Sequence, residues 1–114
     1  YLEAGTYGLS NASLDTPWPK LVKARHGLEV AGSQPDALLA MLADADQAPE
    51  HALPDTGVGL ATERLLSSVF ITGASYGTRA STVVIVDAEG HREMIERSFG
   101  PLGSTLGEVR LQGV

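Results

Sequence analysis

Polar and apolar positions alternate near the start of the chain and then recur with a helical period. Over residues 5–11, Tyr7 and Leu9 fall on one side and the polar residues between them on the other, which predicts a short strand ending in a turn. A helix follows, and its start is predicted between residues 16 and 19. The later start is favoured because Pro19 suits a first helical turn and disfavours helical backbone at the residue before it.

Two further helical segments are predicted before the chain changes character. The first helix has an apolar stripe of Trp18, Leu21, Val22 and Leu28. A second helix is predicted from residue 33 to about residue 45, since Ser33 and Asp36 have the spacing of a capping box. Residues 46–59 mix proline, glycine and acidic residues without periodicity, so they predict a long loop, and residues 61–66 predict a short helical turn.

The second half of the chain has β character. Residues 68–72 predict a brief strand, and the β-branched run over residues 82–86 predicts a strand buried on both faces. Residues 87–90 have the signature of a hairpin turn, with residues 91–99 returning as the partner strand. Residues 106–111 could add one more strand. The predicted fold class is α+β, with two helices covering an antiparallel sheet.

Length and charge limit the function classes. The 114 residues predict a single domain or a fragment of one, and the 43% hydrophobic content fits a globular core. A net charge of −6 argues against binding to nucleic acid or to an anionic membrane. No apolar run approaches the ~20 residues that span a bilayer. We therefore expect a cytoplasmic protein with no membrane span.

Metal and cofactor sites have little support in the sequence. The chain has no cysteine, so it cannot form disulfides or thiolate metal sites. Its three histidines are dispersed without metal-ligand spacing, so neither a metal site nor a bound cofactor is predicted. The chain also opens abruptly on Tyr1, without a signal-peptide pattern, which suggests a fragment whose natural start lies upstream.

Two polar side chains stand out as candidate catalytic groups. Asn11 and Arg79 each lie near the end of an apolar, strand-like run in a Gly/Ser/Thr setting. An amide and a guanidinium presented in this way could together hold a carbonyl or carboxylate oxygen. The neighbouring candidates for substrate binding are Asp15, Tyr76 and Ser81.

Each of these candidates also has a structural explanation. Asn11 could end a strand by an Asx-turn, and Arg79 could form an ion pair with one of three carboxylates, namely Asp15, Glu63 and Asp87. Asp15 fits the entry to a helix, where the helix dipole favours a carboxylate. Tyr76 and Ser81 could complete a turn and start a strand. The residues alone leave these alternatives open.

Three strings in the chain resemble a known family. GLSNASLDTPWPK, SSVFITGASYGTRASTVVIVDAEG and ERSF are similar to the C-terminal half of the NRDE proteins, also called the transport-and-Golgi-organisation family. The resemblance runs from about residue 7 to residue 109 and implies an N-terminal-nucleophile-like fold, a four-layer αββα sandwich. It implies a nucleophilic Cys near the start of the whole protein, within or close to its Asn-Arg-Asp-Glu signature. This chain has neither, so the nucleophile would lie on a missing N-terminal half.

The resemblance also suggests roles and functions. Asn11 resembles an oxyanion-hole asparagine of the cholylglycine-hydrolase branch of that fold, and Arg79 resembles an arginine that braces the nucleophile. The implied function is the C-terminal part of an amidohydrolase that acts on peptide or non-peptide amide bonds. The alternative is a non-catalytic carrier of haem or another hydrophobic ligand, with a role in transport or secretory organisation. Taken alone, the fragment is expected to be an inactive scaffold.

The partners expected are the missing N-terminal half and a second copy of the chain. Half of a sandwich would leave an apolar sheet face or an unpaired edge exposed. We therefore expect a homodimer or higher oligomer, and a small-molecule ligand remains open.

Overall fold

A computed structural model describes residues 2–10, 17–55 and 57–113 of the protein. Its elements, in chain order, are α1 (Pro19–Ala31), α2 (Pro35–Leu42), a 3₁₀ turn (Glu50–Ala52), α3 (Leu60–Leu65), β1 (Ala80–Val86), β2 (Arg92–Phe99), a second 3₁₀ turn (Pro101–Gly103) and β3 (Thr105–Gly113). The strands form one antiparallel sheet in the order β1-β2-β3. The predicted α+β class is confirmed.

The first helix begins at the later of the two predicted positions. Trp18 is its N-cap with an extended backbone, and the Trp18 carbonyl accepts the first helical hydrogen bond, from Val22 N–H at 3.0 Å. The helix ends at Gly32, whose φ of 62° lies in the left-handed region that glycine adopts at little cost.

Two contacts fix α1 against α2. Gly27 lies so close to Met41 that a methyl group at position 27 would collide with the Met41 side chain. The Lys23 ammonium lies 2.7 Å from an Asp44 carboxylate oxygen, just beyond the end of α2. This hydrogen bond is the main reason that the pKa of Asp44 is lowered and the pKa of Lys23 is raised.

The sheet is built on a tight hairpin, as predicted. Val83 of β1 pairs with Ile95 of β2, and Ile95 pairs with Arg110 of β3. At the β1–β2 turn, the Asp87 carboxylate accepts hydrogen bonds from the backbone of Glu89 and His91. Side-chain and backbone chemistry of the turn therefore sets the register of the two strands.

The main core lies where α2 covers the sheet. Its buried residues are Leu38 and Leu39 from the helix and Val83 and Ile95 from the strands, with Ile95 fully enclosed. A smaller contact joins Phe70 to Phe99 at the end of β2, edge to face, with ring centroids 4.7 Å apart.

The prediction that residues 82–86 are buried on both faces is wrong. Val84 and Val86 are each 63% exposed, because α2 covers only one face of the sheet. The other side, here called the open face, carries five apolar residues in register across the three strands: Val84, Val86, Met94, Val109 and Leu111. The apolar character of the strand is therefore as predicted, while the described residues cover only one of its two faces.

Two predicted strands are absent from the described residues. Residues 6–10 are irregular, since the chain there lies along α1 instead of pairing with a strand, and residue 11 lies outside the described ranges. Residues 68–72 make only one isolated bridge, between Thr72 and Gly77.

The helical predictions need smaller corrections. The predicted capping box of the second helix does not form: α2 begins at Pro35, its N-cap is Gln34, and that residue makes no side-chain capping hydrogen bond. In the α1 stripe only Leu21 is buried, while Val22 and Leu28 are 44% and 37% exposed. The loop over residues 46–59 is confirmed apart from its short 3₁₀ turn and residue 56, which is outside the described ranges.

Within the described ranges, no helix has both the length and the apolar character that crossing a bilayer requires. The cytoplasmic location stays a prediction, since this observation does not test it.

Replacing Gly27 with alanine should destabilise the protein. Alanine gains about 1 kcal/mol of helix propensity over glycine, but overpacking against Met41 costs about 1–3 kcal/mol. The expected net result is a lower free energy of unfolding, by about 1 kcal/mol, in urea denaturation. Gly107→Ala is the matched control because its new methyl group meets nothing within 4 Å. An equal or greater stability of Gly27→Ala would contradict the packing argument.

The open face should pair with a second copy of the chain. On this face Arg92 and Glu96 flank Met94 on the same strand, so a twofold axis that runs across the strands near Met94 would place Arg92 over the partner's Glu96. We expect a dimer at micromolar concentration in sedimentation or light scattering, and Val84→Lys should shift it to monomer. Val30→Lys, at an exposed apolar position off the sheet, should leave the dimer intact. A wild-type monomer would contradict this prediction.

Candidate functional site

The structure places the predicted site residues in different parts of the molecule. Asn11 and Asp15 lie outside the described residues, so their meeting with Arg79 stays a prediction. Tyr76 and Arg79 lie on one loop just before β1, and Ser81 lies within β1 on the side of the sheet that α2 covers. Tyr76 and Arg79 are exposed and Ser81 is half-buried.

The loop that carries Tyr76 and Arg79 is closed by its own backbone. Thr78 N–H donates to the Ile71 carbonyl at 3.0 Å, and Ile71 N–H donates to the Thr78 hydroxyl oxygen at 3.0 Å. Glycines permit this closeness: a methyl group at Gly73 would collide with the Tyr76 carbonyl oxygen, and one at Gly77 would lie 2.7 Å from the Ile71 carbonyl oxygen. The loop is therefore a tight, self-bonded platform.

Arg79 is held by its backbone and presents its side chain outward. Its carbonyl accepts a hydrogen bond from Phe99 N–H at 2.8 Å, which ties the loop to the end of β2. The predicted ion pairs with Glu63 and Asp87 do not form, and Asp15 lies outside the described residues. Within the described ranges, no carboxylate pairs with the Arg79 guanidinium.

The immediate surroundings of this loop leave little room for a ligand. Tyr76 and Arg79 border a crevice of only about 10 Å³, closed on the far side by Gly100 and Pro101. A cavity of this size holds at most one water molecule. Within the described residues, Arg79 therefore faces solvent rather than a pocket.

A larger cleft, here called the α1 cleft, lies between residues 7–10 and α1. Its volume is about 410 Å³, and it is lined by Tyr7, Gly8, Leu9, Ser10, Trp18, Lys20, Leu21, Ala24, Arg25, Leu28, Met41 and Val69. A methyl group at Gly8 would lie 2.6 Å from the Leu21 side chain, so glycine lets the segment approach the helix closely. The walls are mostly apolar, and the charged residues among them are the cations Lys20 and Arg25.

A second cleft, here called the Glu63 cleft, lies on the other side of the start of α1. Its volume is about 280 Å³, and its walls are Trp18, Pro19, Lys20, Pro54, Glu63, Leu66, Ser67, Ile71 and Tyr76. Trp18 and Lys20 thus border both clefts. Trp18 belongs to the string GLSNASLDTPWPK and Tyr76 to the string SSVFITGASYGTRASTVVIVDAEG, so this cleft is lined by residues of both strings.

Sequence reasoning missed the importance of Glu63. The sequence indicates Glu63 only as a possible ion-pair partner for Arg79. In the structure this residue is only 6% exposed, and it borders a cleft. Carboxylates are rarely this buried without a compensating interaction, and Glu63 does interact with other groups of the protein. No local pattern predicts this burial, because residues that share the cleft with Glu63, among them Trp18 and Tyr76, lie in other segments of the chain.

Charged groups elsewhere on the sheet are accounted for by local contacts. Glu108 on β3 accepts hydrogen bonds from Arg97 at 2.6 Å and from Arg110 at 2.9 Å, which lower its pKa. Ligand atoms of Asp87, Glu89 and His91 lie within 4.8 Å of one another, but all three residues are exposed. Because Asp87 already bonds to the turn backbone and to the His91 ring at 3.0 Å, hairpin geometry explains this cluster.

Comparison with known proteins assigns the chain to a family. Residues 1–101 match the family described as Transport and Golgi organisation 2. This range contains the three strings named in the sequence analysis and every candidate site residue. The chain belongs to this family. The transport-and-Golgi-organisation part of the resemblance is therefore confirmed, while the N-terminal-nucleophile fold and the Asn-Arg-Asp-Glu signature stay expectations.

Curated relatives agree with this assignment. The chain is 39% identical over 110 residues to the human Transport and Golgi organization protein 2 homolog, covering 86% of the chain and 40% of the relative. It is 38% identical over 130 residues to the bovine homolog, covering 97% of the chain and 46% of the relative. The mouse homolog is 37% identical over 110 residues, with the same coverage as the human protein. The chain therefore spans less than half the length of these relatives.

Proposed function

We propose that this Transport and Golgi organisation 2 family member is a binding protein for an amphipathic small molecule with an apolar body and an anionic group. The observation that carries the proposal is the α1 cleft, which combines apolar walls with Lys20 and Arg25. A volume of about 410 Å³ lies in the range of ordinary small-molecule sites. A carrier role of this kind fits the transport function in the names of the relatives.

Apolar contact would provide most of the affinity. Leu9 is 78% exposed, and Tyr7 and Leu28 are also exposed at the cleft, so a hydrocarbon chain or flat ring would remove their surfaces from water. Such burial contributes roughly 25 cal/mol per Å² of apolar surface. The cleft therefore suits a ligand whose body is mainly hydrocarbon, including haem.

Electrostatics would select an anionic head group. Lys20 lies in the first turn of α1, which has no acidic residue and whose N-cap Trp18 makes no side-chain capping bond. The positive end of the helix dipole adds about 0.3–1 kcal/mol for an anion there. This local field is opposite in sign to the net charge of −6 on the whole chain.

Trp18 allows a direct test, because it is the single tryptophan of the chain and lines the cleft. Titration with laurate, and separately with haem, should change its fluorescence, while dodecylamine should bind at least about tenfold more weakly. Leu28→Glu should weaken laurate binding by about tenfold or more, because it places a carboxylate in the cleft.

Val30→Glu is the matched control, since Val30 is an exposed apolar residue of the same helix that does not line the α1 cleft. If neither laurate nor haem binds, or if both variants weaken binding equally, the proposal fails.

A second candidate function is supported by Arg79. We propose that Arg79 contributes to an amidohydrolase site completed by the part of the relatives that this chain does not span. The supporting observation is an outward guanidinium on a rigid loop, without a described carboxylate partner. Because the chain has no cysteine, the expected nucleophile would come from that other part, and Asn11 would supply the oxyanion-hole amide.

The test requires a protein of the relatives' length with this chain as its C-terminal part. Arg79→Ala should lower kcat/KM for amide hydrolysis by about 10²-fold, and replacing the N-terminal nucleophile should abolish turnover. Arg64→Ala is the control, since Arg64 is exposed and its ion pair among the described residues is with Glu50, at 3.7 Å. Turnover that survives loss of the nucleophile, or equal effects of both arginine variants, would exclude this role.

A further inference from the structure

We propose that the Glu63 cleft binds a zwitterionic small molecule of amino-acid size with an apolar side chain. The inference rests on one juxtaposition: a buried carboxylate, an ammonium group and two aromatic rings border the same cavity. It concerns a different cleft and a different ligand class from the amphiphile site, so the two proposals can fail separately.

The Glu63 carboxylate would receive the ammonium group of the ligand. Its side chain is only 6% exposed, so a charge there is poorly solvated and interacts strongly with nearby ions. A carboxylate has about four acceptor positions. Glu63 already interacts within the protein, and a carboxylate with one such contact would still have acceptor positions for an ammonium group at the cleft wall.

Lys20 would receive the carboxylate of the ligand. It is half-buried at the same cleft, and within the described ranges it forms no ion pair. Two opposite charges that line one cavity without pairing with each other match a molecule that carries both charges. An uncharged ligand would leave the Lys20 ammonium partly desolvated without a counter-charge in the cleft.

The remaining walls favour an apolar side chain between these charges. Trp18 and Tyr76 provide ring faces, and Leu66 and Ile71 provide aliphatic surface. The ring faces also attract an ammonium group. The volume of about 280 Å³ is just below the usual lower limit of ligand sites, which favours a compact ligand such as an apolar amino acid.

The first experiment compares three ligands of similar shape by Trp18 fluorescence and calorimetry. L-Phenylalanine has both charges, 3-phenylpropionate has only the carboxylate, and phenethylamine has only the ammonium. We expect L-phenylalanine to bind at least about tenfold more tightly than either of the others, since each lacks one charge-assisted contact. Equal binding of all three, or no binding of L-phenylalanine, would overturn the proposal.

Variants then distinguish the two clefts. Tyr76→Ala and Glu63→Gln should each weaken L-phenylalanine binding by about tenfold or more, because both residues line the Glu63 cleft and neither lines the α1 cleft. Tyr76 is 61% exposed, so its variant should fold even if the buried Glu63 variant does not. Leu28→Glu, which lies in the α1 cleft, should retain L-phenylalanine binding while losing laurate. The reverse pattern would assign the amino acid to the α1 cleft and overturn the proposal.

Discussion

The packing of α2 on the first two strands is the contact on which the rest of the structure depends. Leu38 and Leu39 of the helix meet Val83 and Ile95 of the hairpin, and Ile95 is fully enclosed. α1 is attached to this unit through α2, by the close approach of Gly27 to Met41 and by the ion pair between Lys23 and Asp44. Both clefts are walled by α1, so their shape depends indirectly on this small core.

A sheet with two apolar faces and a single covering layer sets the main constraint on assembly. α2 covers one side, while Val84, Val86 and their neighbours remain at the surface on the other. Exposed apolar faces of this kind are typical of interaction surfaces. The curated relatives are more than twice as long as the aligned part of this chain.

Local electrostatics at the clefts differ from the overall charge. The chain carries a net charge of −6, yet Lys20 borders both clefts and Arg25 borders one of them. Buried Glu63 gives the second cleft the opposite sign on one wall. Because short-range contacts in a partly desolvated cavity outweigh the screened field of distant charges, the proposed ligands would be selected by these few side chains rather than by net charge.

The sequence by itself determined the elements whose signals are local. Pro19 marked the start of α1, and the turn at Asp87–Gly90 with its flanking β-branched run specified the β1–β2 hairpin. Family membership was also visible in the strings around Trp18 and Arg79, which lie within the matched residues.

Only the tertiary structure decided which surfaces these elements bury. The alternating residues 6–10 lie beside α1 and pair with no strand of the described part of the chain. Val84 is 63% exposed, and Glu63 is buried at a cleft. Backbone preference depends on a few neighbouring residues and is therefore readable from the chain. Burial depends on partners distant in sequence, and periodicity alone does not identify them.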